Sequence, residues 1–137
     1  KTGLTLKFIE DEHQKNLVQW ADLTRLNALE GRTGTIGQHL IHIPNGGKRN
    51  AKEAARLKSQ GVRAGFPDLF LFIPSNDFCG LAIEMKRPII KGHPKPAVSK
   101  MQKDWLKRLS EQSYKSIVCY GWTEARLEIL NYLKLGK

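Results

Sequence analysis

The chain has 137 residues, 40% of them hydrophobic, and 23 Lys and Arg against 13 Asp and Glu give it a formal charge of +10. That length suits one domain, residues 1–137, burying roughly two thirds of its unfolded surface, and no apolar run approaches the ~20 residues of a membrane span. Two cysteines, Cys79 and Cys119, are too few for a disulfide framework or a zinc site.

No signal peptide is evident, so reduced thiols and a cytoplasmic location are expected. The basic surplus suits a polyanion, most simply nucleic acid. A ribosomal or membrane-surface protein would also carry such a charge, but neither predicts the acidic cluster described below.

In chain order, residues 1–9 read as a lead-in with a loose strand over Leu4 to Ile9. A helix is predicted from Glu10 or Asp11, with Leu17, Trp20, Ala21 and Thr24 on its inner face and an end between Asn27 and Gly31. By residue type alone, Glu12 is a solvated first-turn acid. Gln38 to Ile43 reads as a strand, and Pro44-Asn45-Gly46-Gly47 as the turn after it. His39 and His42 lie three apart on that strand, hence on opposite faces, which argues against a shared metal site.

Asn50 and Glu53 have capping-box spacing for a helix that Gly61 should stop. Lys48 and Arg49 stand just before it, beside the glycines of the turn. Basic residues and free N–H groups at a helix start suit phosphate binding. A tight turn leading into an ordinary solvated helix fits those residues equally well.

The stretch GVRAGFPDLFLFIPSNDFCGLAIEMK, Gly61 to Lys86, carries the chemistry. Two apolar runs, Leu69 to Ile73 and Leu81 to Ile83, flank a Pro/Ser/Asn/Asp cluster and read as a β-hairpin. With its midpoint at Asn76, Asp68 stands opposite Glu84, and strand alternation puts Glu84 and Lys86 on one face with Met85 on the other. Phe66, Leu69 to Ile73, Leu81 and Ile83 are expected in the core. Two carboxylates side by side repel unless a cation lies between them, and hard oxygen ligands suit Mg²⁺. A lysine beside that cation could orient or activate a water. Taken alone, Glu-x-Lys is more simply a salt bridge at a strand end; Pro67-Asp68 before the paired strand favours the functional reading. Arg63, in the approach to the hairpin, is a candidate for DNA contact or for pairing with a carboxylate.

Residues 87–98 hold three prolines and read as an exposed loop next to the site. Ser99 to Gln102 opens a helix with capping-box spacing, and Gln102, Trp105, Leu106 and Leu109 share one face. Gln102 could close the helix end or reach Lys86, a metal-bound water or a phosphate. Ser116 to Tyr120 is the last strand. A helix capped by Thr123 follows, burying Leu127, Leu130 and Leu133 with Tyr132 partly exposed; Trp122 is expected in the core.

Pro67-Asp68 followed by Glu84-Met85-Lys86 resembles the PD-(D/E)XK nuclease signature. The longer text, GVRAGFPDLFLF through LAIEMKRP to SKMQKDWLKRL, resembles the VRR-NUC family within that superfamily, most closely its stand-alone phage and prophage members. The resemblance runs from about Glu10 to Leu133. It implies an α/β restriction-endonuclease-like fold, a central mixed sheet flanked by helices. By position it assigns Glu12 to the metal site, with Glu10 or Asp11 as the alternatives, beside Asp68, Glu84 and the Met85 carbonyl. It also places Gln102 at the site with Lys86, and Asn45, Lys48 and Arg49 on substrate. The implied activity is an Mg²⁺- or Mn²⁺-dependent endonuclease that cuts branched DNA, four-way junctions included, as a homodimer in a bacterial host cell. A flap or RNA nuclease, or a non-catalytic binding module, is the alternative.

Overall fold

The structure, a computed structural model, describes residues 2–44 and 50–134. The predicted contacts of Asn45, Lys48 and Arg49, and most of the turn after Pro44, lie outside the described residues. Four strands form one mixed sheet in the order β1 (Leu40–His42), β2 (Leu69–Leu71), β3 (Leu81–Lys86), β4 (Lys115–Tyr120). The first two pairings are antiparallel and β3–β4 is parallel. The β3–β4 crossover passes through helix α3 (Lys100–Glu111), and α4 (Trp122–Leu133) follows β4. This is the mixed α/β sheet expected from the sequence.

Pairing of Leu69 with Ile83 and Leu71 with Leu81 puts Asp68 level with Glu84, the register centred on Asn76. Asn76 sits in the left-handed region (φ 55°), at the tip of a tight turn closed by reciprocal Ser75–Phe78 hydrogen bonds of 3.1 and 3.0 Å. Three residues, Phe72 to Pro74, face only Cys79 and Gly80 on the returning arm, so the register slips by one at the tip. Strand alternation continues into the tip, with Leu69, Leu71 and Ile73 buried, so Phe72 points outward, 45% exposed, whereas the predicted core includes it.

Strand β3 is buried along almost its whole length because both faces are covered. Leu81, Ile83 and Met85 join Leu17 and Ala21 of α1 (Thr2–Leu23) and Ala125, Ile129 and Leu133 of α4 in one apolar cluster. Each of the leucine, isoleucine and methionine side chains contributes about 1.5–3 kcal/mol by leaving water. On the opposite face, Glu84 and Lys86 meet α3, which Ser116 Oγ fastens to the sheet by donating to Leu106 O at 2.6 Å.

Four expectations need correction. Residues 2–9 are the first turns of α1, not a strand. Their alternating apolar residues do not line a sheet: Phe8 is 63% exposed, and Lys7 reaches a turn ahead to Glu10 and Asp11 at 3.8 and 3.4 Å. Extending an established helix adds a hydrogen bond for each residue fixed, which outweighs weak local alternation. The helix also ends earlier than expected, at Leu23.

The N-cap of α4 is Gly121 (φ 95°) rather than Thr123. No side chain of its own caps this helix; the orphan N–H of Trp122 donates to His13 Nδ1 at 2.9 Å. Burial lowers the His13 pKa, keeping that nitrogen free to accept. Finally, Leu127 is exposed and Tyr132 is buried, the reverse of the expected pattern. The Tyr132 hydroxyl donates to Ile73 O at 2.7 Å, and Ser75 Oγ donates to Tyr132 O at 2.5 Å, so tyrosine rather than leucine locks the hairpin loop onto α4.

Candidate active site

The site lies where β2 has ended and β3 continues. Pro67 is fully buried and fixes the entry to β2. Asp68 is then held by its main chain, whose carbonyl accepts from Ile43 N at 2.7 Å and lies 3.0 Å from His42 Nδ1. Its carboxylate Oδ2 accepts from the Met85 N–H at 2.8 Å. The acid is therefore pinned between β1 and β3 and faces the Glu84–Lys86 edge.

Glu84 is 4% exposed. Its Oε2 accepts from Gln102 Nε2 at 3.1 Å and lies 3.6 Å from Lys86 Nζ, which itself donates to Gln102 Oε1 at 3.1 Å. The three side chains close a triangle. Gln102 can sit there because α3 begins at Ser99, whose hydroxyl accepts from Gln102 N at 3.1 Å while Gln102 Oε1 accepts from Ser99 N at 2.9 Å. Gln102 therefore closes the start of α3 and touches both Glu84 and Lys86 with the same side chain.

Burial, and then the Asp68 charge, push the Glu84 carboxyl from its ordinary 4.5 up to about 8, with Lys86 pulling the other way. Without a cation this carboxyl stays largely protonated at neutral pH. Glu10 on α1 is raised as well, first by burial and in part by Asp68. Among the described residues, no three His, Cys, Asp or Glu side chains form a ready-made metal cage. The donor set still fits a hard divalent ion. Such ions use one or two carboxylates and fill their remaining positions with water and phosphate oxygens, and a buried carboxyl held protonated beside a second carboxylate is where a cation replaces a proton.

The cavity around these groups, about 310 Å³, is lined by Lys7, Glu10, Asp68, Glu84, Lys86 and Gln102, with Met85, Gln14 and His42 also at its wall. Glu12 does not line it; its carboxylate pairs with Lys15 at 3.5 Å. Arg63 is exposed, donates to Lys58 O at 3.1 Å and lines a separate groove between α2 (Ala51–Ser59) and α3. Of the acids on α1, Glu10 and Asp11 line the cavity and Glu12 does not; Asp11 pairs with Lys7 at 3.4 Å, and Glu10 is the one on which the charges of Asp68 and Lys86 act. The signal for this was present in the sequence: Glu10, Gln14, Leu17 and Ala21 form one helical stripe, and Glu12 lies off it.

His42, Gln14 and Lys7 at the cavity wall had no predicted role there. Nor had Arg87, which is 8% exposed and donates to Pro88 O at 3.2 Å and Pro94 O at 2.8 Å, tying down the proline-rich loop that follows Lys86. Prolines and glycine marked that segment as irregular, but they carry no information about which side chain would hold it.

Comparison with known proteins bears on the family and the fold. Residues 9–122 match the VRR-NUC domain family. A solved structure described as a VRR_NUC domain protein superposes with a TM-score of 0.75 at 28% sequence identity, covering 93% of this chain and 90% of that one. No curated protein matches the chain. With a family match across most of its length and the same fold in a solved relative, the chain belongs to the VRR-NUC family of nuclease-type domains.

Proposed function

We propose that the chain is a metal-dependent phosphodiester hydrolase that cuts branched DNA. The observation that carries the reading is the Glu84–Lys86–Gln102 triangle set against Asp68 at the splayed end of the hairpin, inside a strongly basic protein. Asp68 and Glu84, with Glu10 from α1 in place of Glu12 and the Met85 carbonyl, would hold Mg²⁺ or Mn²⁺. Bound there, the ion supplies Lewis-acid polarisation of the scissile phosphate and neutralises charge on the leaving oxygen.

The remaining work belongs to the chain. Lys86 Nζ, fixed by Gln102 Oε1, presents its N–H donors to the attacking water and to the non-bridging oxygens where negative charge develops. Gln102 holds the Lys86 ammonium and the Glu84 carboxylate in one orientation, so neither has to reorganise during the reaction. The positive surface draws the phosphate backbone in, and its contribution falls as salt rises.

The chain has little surface for reading a long base sequence, and selection by DNA shape follows from that. Four-way junctions cut by a homodimer are the finer form of this proposal; two-fold symmetry would set one site on each of two strands. The test compares a labelled four-way junction, its linear duplex and the matched RNA junction in Mg²⁺ and in EDTA, with the oligomeric state followed by sedimentation. The expected result is metal-dependent cutting of the DNA junction well above the duplex, by a dimer. Equal cutting of junction and duplex would remove the shape selection, and binding without cutting under any metal would remove the hydrolase.

A further inference from the structure

We propose that the groove between α2 and α3 receives an unpaired base of the strand being cut, one to three nucleotides from the scissile phosphate. The inference rests on the nuclease reading and names the part of the substrate that the chain grips. The groove floor is apolar: Leu57, Val62, Phe66 and Trp105 bound a hollow of about 520 Å³. It runs on past Leu57, Val62 and Trp105 into a second hollow of about 480 Å³ that reaches Met101 and Arg108. Trp105 is fixed there rather than loose, because its Nε1 donates to Ala64 O at 3.0 Å and its ring meets Phe66 edge-on at 5.2 Å. Arg108 lies over the same indole, 5.1 Å from its centre.

Three observations select the occupant. The rim is cationic, with Lys58, Arg63 and Arg108 all exposed around the apolar floor, so the ligand is apolar inside and anionic outside. Among the described residues, the one acid at the rim, Asp104, is answered by Lys100 at 3.1 Å. The groove lies beside the catalytic cavity, since Pro44 stands at the wall of both and α3 carries Gln102 into one and Trp105 into the other.

At ~1.5 Å of helix rise per residue, Trp105 and Arg108 stand about 5–9 Å beyond Gln102. One strand advances ~3.4 Å per phosphate along a stacked duplex and further per phosphate where it is unstacked, so the offset is three nucleotides at most and one at least. Paired DNA offers phosphates but no open base face, so an apolar floor is of use only to a nucleotide that has left the stack, as at a branch point.

The test uses the full chain in EDTA and a fluorescent splayed-arm DNA, in which each of the first three unpaired nucleotides is replaced in turn by an abasic residue. Its phosphates stay and its base goes. An abasic residue at one of these positions should weaken binding by roughly 5- to 100-fold, the range of one base–aromatic contact. Leu57→Asp, on an exposed helix, and Trp105→Ala should weaken binding of the intact DNA similarly and abolish the abasic effect. Binding that stays within twofold at all three positions in the wild type would overturn the groove, as would an abasic effect that persists in a folded Leu57→Asp protein. The two readings fail separately. Metal-dependent cutting with no abasic effect leaves the nuclease and removes the groove, whereas an abasic effect without cutting in Mg²⁺ leaves the groove and removes the nuclease.

Discussion

Gln102 donates to Glu84 across 3.1 Å from a residue that also closes the first turn of α3. One side chain thereby couples a helix start to the chemistry of the central strand, and the two roles can be separated by mutation. Ser99→Ala removes the cap and leaves the contacts of Gln102 to Glu84 and Lys86. It should cost about 1 kcal/mol of stability and change cleavage by less than threefold. Gln102→Ala should lower stability by a similar amount and reduce cleavage at least tenfold, because Lys86 and Glu84 then lose their shared partner. Denaturant melts paired with single-turnover rates would check both, and equal loss of rate in the two variants would contradict the separation.

Between Glu10 and Glu12, only the former lines the Asp68–Glu84 cavity. Glu10→Gln should weaken Mn²⁺ binding and slow cutting by ten times or more, and Glu12→Gln should stay within twofold of wild type. Titration calorimetry with Mn²⁺ alongside cleavage rates decides the matter, and the opposite ranking would restore Glu12.

Glu84 sets a pH dependence whose sign is unusual for a carboxyl. Its folded pKa of about 8 lies above the ordinary 4.5, so folding takes up a proton between those values. The resulting stabilisation is complete below about 4.5 and is lost as pH rises through about 8. Metal-free protein should therefore melt at progressively lower denaturant between about pH 5 and pH 8. Glu84→Gln should flatten most of that slope, and saturating Mg²⁺ should oppose it. Stability that is flat or rises over the same window in metal-free wild type would contradict the assignment.

Gly65 sits at φ 84°, and a Cβ there would come within 2.9 Å of Met101 Cβ and 3.2 Å of Gln102 N. Glycine lets the approach to the hairpin press against the start of α3, so it helps to position Gln102. Gly65→Ala should cost about 1–3 kcal/mol and lower cleavage, because any relief moves the first turn of α3. Gly92 has a similar φ but nothing within 4 Å, and Gly92→Ala serves as a control that bears backbone strain alone and should leave the rate unchanged.

The hairpin register was legible because it follows from pattern alone: two apolar runs around Asn76 fix Asp68 opposite Glu84. Helix starts at Asn50 and Ser99 were legible for a similar reason, since capping is local chemistry. What the sequence hid was set by distant partners. The N-terminus of α4 is satisfied by His13, 109 residues away, which no local cap rule anticipates. The acids lining the site were hidden among three neighbouring candidates, and only the helical stripe through Gln14, Leu17 and Ala21 separates Glu10 from Glu12. Tyr132 was read as partly exposed because tyrosine is ambivalent; its hydroxyl found a carbonyl on the hairpin and could be buried.

The most direct measurement is cleavage of a labelled four-way junction by wild type, Lys86→Ala and Asp68→Asn, each with Mg²⁺ and with EDTA, alongside junction binding by the same proteins. The account predicts cutting by wild type in Mg²⁺ alone, loss of at least a hundredfold in both variants, and junction binding within a fewfold of wild type. Turnover that survives EDTA, or that Lys86→Ala leaves unchanged, would contradict it.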